Sequence, residues 1–151
     1  EYVERTNARG VAVIVAVTPT DELLLVEQYR LPVARPVIEL PAGLVGDLGP
    51  DEPLVEAARR ELIEETGYRA ERMEVLAEGP TTAGLSNEIT TFCAAHDLTR
   101  VGPGGGDASE NITVHPVPLS GLHDWLRAQS ERVAIDPKLY AGLWLAGINA
   151  A

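Results

Sequence analysis

"RRELIEETGY" (residues 59–68) sets Glu61, Glu64 and Glu65 three and four residues apart in a helical pattern. Like charges at that spacing repel by about 0.2–0.5 kcal/mol per pair on an exposed helix. The whole chain already carries a formal net charge of -11, so the cluster asks for a partner. Asp51 reads as an N-cap, Pro53 suits the first turn and Gly67 suits the C-cap, which predicts a helix from 51 to 67. On a helical wheel Leu54, Val55, Ala58 and Leu62 share an arc of about 100°, the stripe expected to face a core. The three glutamates fill a second arc of about the same width, and Glu65 overlaps the edge of the apolar one. Part of the acidic face therefore lies against the core, where an unpaired carboxylate is costly. Ala57, one turn before Glu61, leaves space over that face. Carboxylates with room beside them suit a hard, oxygen-seeking cation such as Mg²⁺ or Mn²⁺. Taken alone, the ten residues are accounted for more simply by a solvated amphipathic helix paired with Arg59 and Arg60.

Outward from this helix the chain alternates strand and helix patterns. "GVAVIVAVT" (10–18), "LLLVEQYRL" (23–31) and "PVIEL" (36–40) read as strands, and "AGLVGDLGP" (42–50) as a loop. "RMEVLAEG" (72–79), "EITTFCAAHDL" (88–98) and "NITVHPVPL" (111–119) resume strand patterning after the helix. Residues 120–130 and 136–150 read as closing helices. There is no repeat and no linker of domain scale. The expectation is one α/β domain over residues 1–151, with helices on both faces of one mixed sheet.

Composition narrows the function classes. The acidic balance excludes a general nucleic-acid binder, which needs a basic face, and disfavours an anionic membrane surface. No apolar run approaches the roughly 20 residues that span a bilayer. The opening "EYVERTNARG" lacks the basic-then-apolar pattern of a leader, and the lone Cys93 fits a reducing compartment, so a cytoplasmic protein is expected. His96, His115 and His123 have no metal-ligand spacing and are assigned structural roles. Trp125, Tyr140 and Trp144 recur at helical spacing, as packing residues do.

Extending the opening stretch backwards gives Gly46, five residues, Glu52, seven residues, then Arg60-Glu61-Leu62-Ile63-Glu64-Glu65-Thr66-Gly67-Tyr68. This resembles the Nudix box over residues 46–68, with Tyr68 where that family usually has an aliphatic residue. "PAG" (41–43) also resembles the family's entry to the box, so Gly43 and Gly46 both answer to the box glycine, with a three-residue insertion between strand and helix. The resemblance implies a Nudix α/β/α sandwich with a mixed β-sheet and a hydrolase that cleaves nucleoside diphosphates linked to another group. It further implies Mg²⁺, or Mn²⁺, held by the Ala42 carbonyl, Glu61 and Glu65, with Arg60 and Glu52 orienting those carboxylates.

"LLLVEQYRLPVARPVIELPAGL" (23–44) is similar to the branch that hydrolyses ADP-ribose and related nucleoside diphosphate sugars to a nucleoside monophosphate and a sugar phosphate. That likeness nominates Arg30, Leu44 and Gly84 as substrate-binding residues, although an ordinary strand arginine paired with a nearby acid accounts for Arg30 equally well. Thr82-Ala83-Gly84 stands where the branch often has Ser-Pro-Gly. For the base that takes a proton from water, similar enzymes carry a glutamate where Glu110 ends the loop "GPGGGDASE" (102–110); Glu64 is the rival. The glycine run 104–106 is expected to let that loop close over substrate. A homodimer acting on a small nucleotide is the implied assembly. The alternatives are a Nudix-fold sensor without turnover, or a Nudix hydrolase of dinucleoside polyphosphates or coenzyme A.

Overall fold

The computed structural model describes residues 1–4, 6, 9–49, 51–106 and 110–149. Eight strands and three α-helices follow in the order β1 (Gly10–Ala16), β2 (Glu22–Arg30), β3 (Arg35–Glu39), β4 (Ala42–Val45), α1 (Leu54–Thr66), β5 (Tyr68–Pro80), β6 (Ile89–Arg100), β7 (Thr113–Pro118), α2 (Leu122–Ser130), β8 (Ala134–Ile135) and α3 (Pro137–Leu145), with a 3₁₀ turn at Leu31–Val33. The mixed α/β class is the one expected. The strands, however, divide between two four-stranded sheets, β4-β1-β6-β5 and β7-β2-β3-β8. Each is mixed: β1 runs parallel to β6 and antiparallel to β4, while β3 runs parallel to β8 and antiparallel to β2.

β1 shows why the helices lie on both sides. Successive side chains of a strand point to opposite faces. Val13 and Val15 join Leu23, Leu25 and Phe92 in a core closed by Leu122 and Leu126 of α2 and Leu139 and Leu143 of α3. Ala12, Ile14 and Ala16 join a second core with Ala57, Ala58 and Leu62 of α1. A strand buried on both faces needs a continuous apolar run, and "GVAVIVA" supplies one.

Several local features differ from the sequence reading. α1 starts at Leu54 with Pro53, not Asp51, in the N-cap position and no side-chain cap. Proline at that boundary loses nothing, because the first turn's N–H groups have no partner within the helix. Gly67 does end the helix, at φ 77°, with its N–H donating to the Ile63 carbonyl at 2.9 Å. Residues 42–45, read as loop, form β4, pairing Gly10 with Val45 and Val13 with Ala42. α3 ends at Leu145, short of the expected 150, which itself lies outside the described residues; Gly147 turns the chain at φ 69°. Trp125 packs against the first core, but Tyr140 and Trp144 are exposed, so packing does not account for those two. Among the described residues no helix is long and apolar enough to cross a membrane.

Candidate functional site

α1 lies against β4, and its inner face brings the box glutamates to the Ala42-Gly43 step. Glu65 is only 2% exposed, and its Oε2 accepts the Ala42 N–H at 3.0 Å. Glu61 sits directly on Gly43: a methyl group there would fall inside the Glu61 carboxylate. Gly46 does different work, turning the chain at φ 91° and donating its N–H to Glu52 Oε2 at 3.1 Å. Gly43 thus supplies close approach and Gly46 supplies the turn, which divides between two glycines what the sequence left ambiguous.

Arg60 ties the acids together. Its Nε donates to Glu52 Oε1 at 3.1 Å, its Nη1 to Glu61 Oε1 at 2.8 Å and to Glu64 Oε2 at 3.1 Å, and its Nη2 reaches the Leu44 carbonyl at 3.5 Å. Burial works against the Arg60 charge, but the hydrogen bond to Glu52 and the charge of Glu61 outweigh it and raise its pKa. The Arg60 hydrogen bond in turn lowers the Glu52 pKa. Arg60 thus links Glu52 to the inner carboxylate Glu61.

The inner pair is short of positive charge. Burial pushes the Glu61 carboxyl up to about 7 against the pull of Arg60, with Glu64 and Glu110 adding to the rise. Burial takes Glu65 up to about 8, opposed by the Ala42 N–H and reinforced by Glu110 and Glu61. Among the described residues no three carboxylate, imidazole or thiol groups form a ready-made metal cage. Glu64 turns outward to Arg60, its side chain 43% exposed, so the three carboxylates do not converge as the helical wheel suggested. Two buried carboxylates beside a backbone carbonyl remain a fitting donor set for Mg²⁺ or Mn²⁺, which commonly take one or two carboxylates together with substrate phosphates. Glu61, Glu65 and Ala42 are the residues placed to hold such an ion, although the Ala42 contact seen here runs through its N–H.

These groups open on a cleft of about 800 Å³ that Glu110, Arg30 and Leu44 also line. Arg30 is committed to Glu39 through Nε to Oε1 at 2.9 Å and Nη2 to Oε2 at 2.5 Å, yet its side chain stays 42% exposed along the cleft. Arg30 is therefore paired with Glu39 and lines the cleft. Gly84 lies apart from these residues. It lies in the turn between β5 and β6, where Leu85 and Ser86 donate to the Thr82 carbonyl, and it is not part of the cleft wall. That wall is formed on the same side by Glu88 and Thr90.

Sequence reasoning also missed Gln28, Arg35, Asp47, Glu39 and the Asp136–Lys138 pair, all on the cleft. Gln28 shares a face of β2 with Arg30, and Arg35 pairs opposite Arg30 in the register, so strand alternation carried a signal for both. Lys138, the only lysine in the chain, contacts Asp136 at 2.5 Å, and Asp136 caps α3. The histidines are structural, as expected: His115 bonds Glu27 and stacks near Trp125, and His96 bonds Glu74.

The glycine run is bonded to the end of α1. Residues 104–106 do not arch over the cleft; the N–H groups of Gly105 and Gly106 donate to the carbonyls of Glu65 and Glu64 at 2.8 and 3.0 Å. The last carbonyls of a helix have no intrahelical donor, and this loop supplies one to each. Residues 107–109, between that run and Glu110, lie outside the described residues.

Comparison with known proteins agrees with this geometry. An ADP-ribose pyrophosphatase of Mycobacterium tuberculosis is 39% identical over 142 residues, covering 93% of this chain and 64% of that protein. A GDP-mannose pyrophosphatase of Cronobacter sakazakii is 35% identical over 156 residues, covering 98% of this chain and 78% of its own. A methanol dehydrogenase activator of Bacillus methanolicus is 40% identical over 91 residues, and the match spans 48% of that relative, about half its length. A solved structure described as an ADP compounds hydrolase shares the fold at a TM-score of 0.73 and 24% identity, covering 91% of this chain and 70% of that one. The model of the NUDIX domain matches residues 8–130, a span that contains β1, β4, the carboxylate helix and Glu110, and the chain belongs to the NUDIX domain family.

Proposed function

We propose that the chain is a divalent-metal-dependent pyrophosphatase of nucleoside diphosphate sugars, with ADP-ribose the first candidate substrate. The observation that carries this reading is the pair Glu61 and Glu65, buried at Ala42-Gly43, backed by Arg60 and Glu52, and facing Glu110 and Arg30 on one cleft. The relatives named for ADP-ribose and for GDP-mannose support the substrate class.

Hydrolysis adds water across the P–O–P bridge: the water oxygen bonds to one phosphorus, the bridging bond breaks, and a nucleoside monophosphate and a sugar phosphate leave. A bound Mg²⁺ or Mn²⁺ supplies charge neutralisation on the phosphoryl oxygens. Arg60 keeps Glu61 oriented, and Ala42 fixes Glu65 through its N–H. Arg30, held flat by Glu39, presents its exposed edge to the pyrophosphate, where a planar guanidinium suits two oxygens. Glu110 accepts the proton from the attacking water. Glu64 is the rival base, and its Oε2 accepts from Arg60. The acting assembly is inferred to be a homodimer, which light scattering of the purified chain checks.

The test is release of nucleoside monophosphate from ADP-ribose, GDP-mannose, UDP-glucose, NADH and coenzyme A, with and without Mg²⁺. Metal-dependent turnover of a sugar nucleotide is expected. Silence across the panel together with tight binding of any member would replace the enzyme by a sensor.

A further inference from the structure

The loop that carries Glu110 is sewn to the end of the helix that carries Glu61 and Glu65. Gly105 and Gly106 donate to the carbonyls of Glu65 and Glu64, Val101 and Gly102 donate to the Gly67 carbonyl at 2.8 and 3.1 Å, and Ile112 returns a bond to the Gly105 carbonyl at 3.3 Å. The seam is backbone against backbone. A Cβ on Gly67 would strike the Gly102 carbonyl, and one on Gly104 would lie 2.5 Å from the Thr66 carbonyl carbon and 2.7 Å from the Glu65 oxygen. On Gly106 a Cβ would lie 2.5 Å from Glu110 Oε2 and 2.7 Å from Glu110 Cβ, so the Glu110 side chain rests on that glycine. The three residues 104–106 run at φ 71°, 108° and 82°, a left-handed path that side chains resist.

The geometry points to residues 104–106 as a fixed backbone bridge that positions Glu110 against the carboxylate helix, in place of a hinge that lets a lid close. These glycines are positioning residues that act through Glu110, and the inference rests on the reading of Glu110 as the base. Glycine is needed twice over: for the left-handed path, and for the absence of a Cβ at the two tightest points. A displacement of the last turn of α1 is then passed to Glu110 through two hydrogen bonds instead of being absorbed by the loop.

A double-mutant cycle on the intact chain tests this. Gly106→Ala intrudes on Glu110 and not on α1, and is expected to lower kcat about 10- to 100-fold, the scale of a misplaced reacting group. KM and Mn²⁺ affinity, the latter read by electron paramagnetic resonance, are expected to stay within about twofold, because the carboxylate pair is untouched. In a Glu110→Gln background the same change is expected to cost nothing further in kcat, since the proton acceptor that it displaces is already gone. Losses that multiply, or a fully active Gly106→Ala, would overturn the bridge. Amide hydrogen exchange of the native chain gives a reading that needs no substrate: slow exchange at Gly105 and Gly106, lost in Gly104→Ala, supports the bridge, and exchange at free-peptide rates overturns it. Absence of any turnover by the native chain would sink the pyrophosphatase reading instead, leaving exchange to decide the bridge. Gly79→Ala, at a glycine with open space around it, is the control and is expected to change neither.

Discussion

Glu65 holds a carboxylate almost wholly out of water with a single N–H, that of Ala42, to receive it. Such a group keeps its proton well above the usual range, to about 8, and its neighbour Glu61 does so to about 7. Between the unfolded value near 4.5 and these raised values the native state binds more protons than the unfolded one, so raising the pH there costs stability. Below that window both states are protonated and the full contribution is present; above about 8 it is gone. Glu65→Gln keeps an acceptor for Ala42 and removes the titration. The melting temperature of metal-free Glu65→Gln, taken relative to the native chain, is therefore expected to climb between pH 5 and pH 8. Saturating Mg²⁺ at pH 8 is expected to stabilise the native chain and not the variant. A flat difference across that range would mean that Glu65 ionises as an exposed glutamate does.

At the scale of elements, α1 is where the two demands on this chain meet. One face of the helix packs Ala57, Ala58 and Leu62 against β1, each 0% exposed, while the adjacent turn carries the acids. Repulsion among glutamates is a matter of tenths of a kcal/mol per pair, whereas a buried leucine contributes several times that. Leu62→Ala is accordingly expected to lower unfolding free energy by about 2–5 kcal/mol, read from urea denaturation. A loss below about 1 kcal/mol would mean that the second core closes over the gap. α1 was legible in the sequence because a helix declares itself through local spacing, and the cluster at Glu61, Glu64 and Glu65 repeats at fixed intervals. β4 and β8 were not. β4 has four residues beginning Ala-Gly, and β8 has two, too few to show alternation; their pairing with β1 and β3 comes from distant parts of the chain. The glycine run misled for a related reason: three glycines signal freedom in isolation, and only the end of α1 turns that freedom into close packing. The division into two sheets was equally hidden, since it rests on β1 pairing in parallel with β6 across about half of the sequence.

For the molecule as a whole, the cleft is the place where the two sheets and two of the helices share a boundary. Val11, Val13 and Leu44 come from the first sheet, Gln28, Arg30 and Glu39 from the second, Glu61 and Glu65 from α1, and Lys138 from α3. The acidic end was readable from the box spacing; the opposite end, with Asp136 and Lys138, depends on tertiary approach and carried no local sign. A ligand that fills this cleft therefore touches both halves of the fold and stabilises the native state by mass action, by about 2.7 kcal/mol at one hundred times its Kd. For a chain of this size that corresponds to a rise in Tm of about 5–10 °C. A methylene analogue of ADP-ribose, in which carbon replaces the bridging oxygen, binds without being cleaved and is the probe. With Mg²⁺ present the native chain and Glu110→Gln are expected to show the same rise, because the role proposed for Glu110 is toward the attacking water and not the pyrophosphate. Glu65→Gln is expected to lose most of it, because Glu65 is one of the residues proposed to hold the divalent ion that would neutralise the pyrophosphate. Equal rises in all three would place the ligand away from the carboxylate pair, and loss of the rise in Glu110→Gln alone would make Glu110 a binding residue.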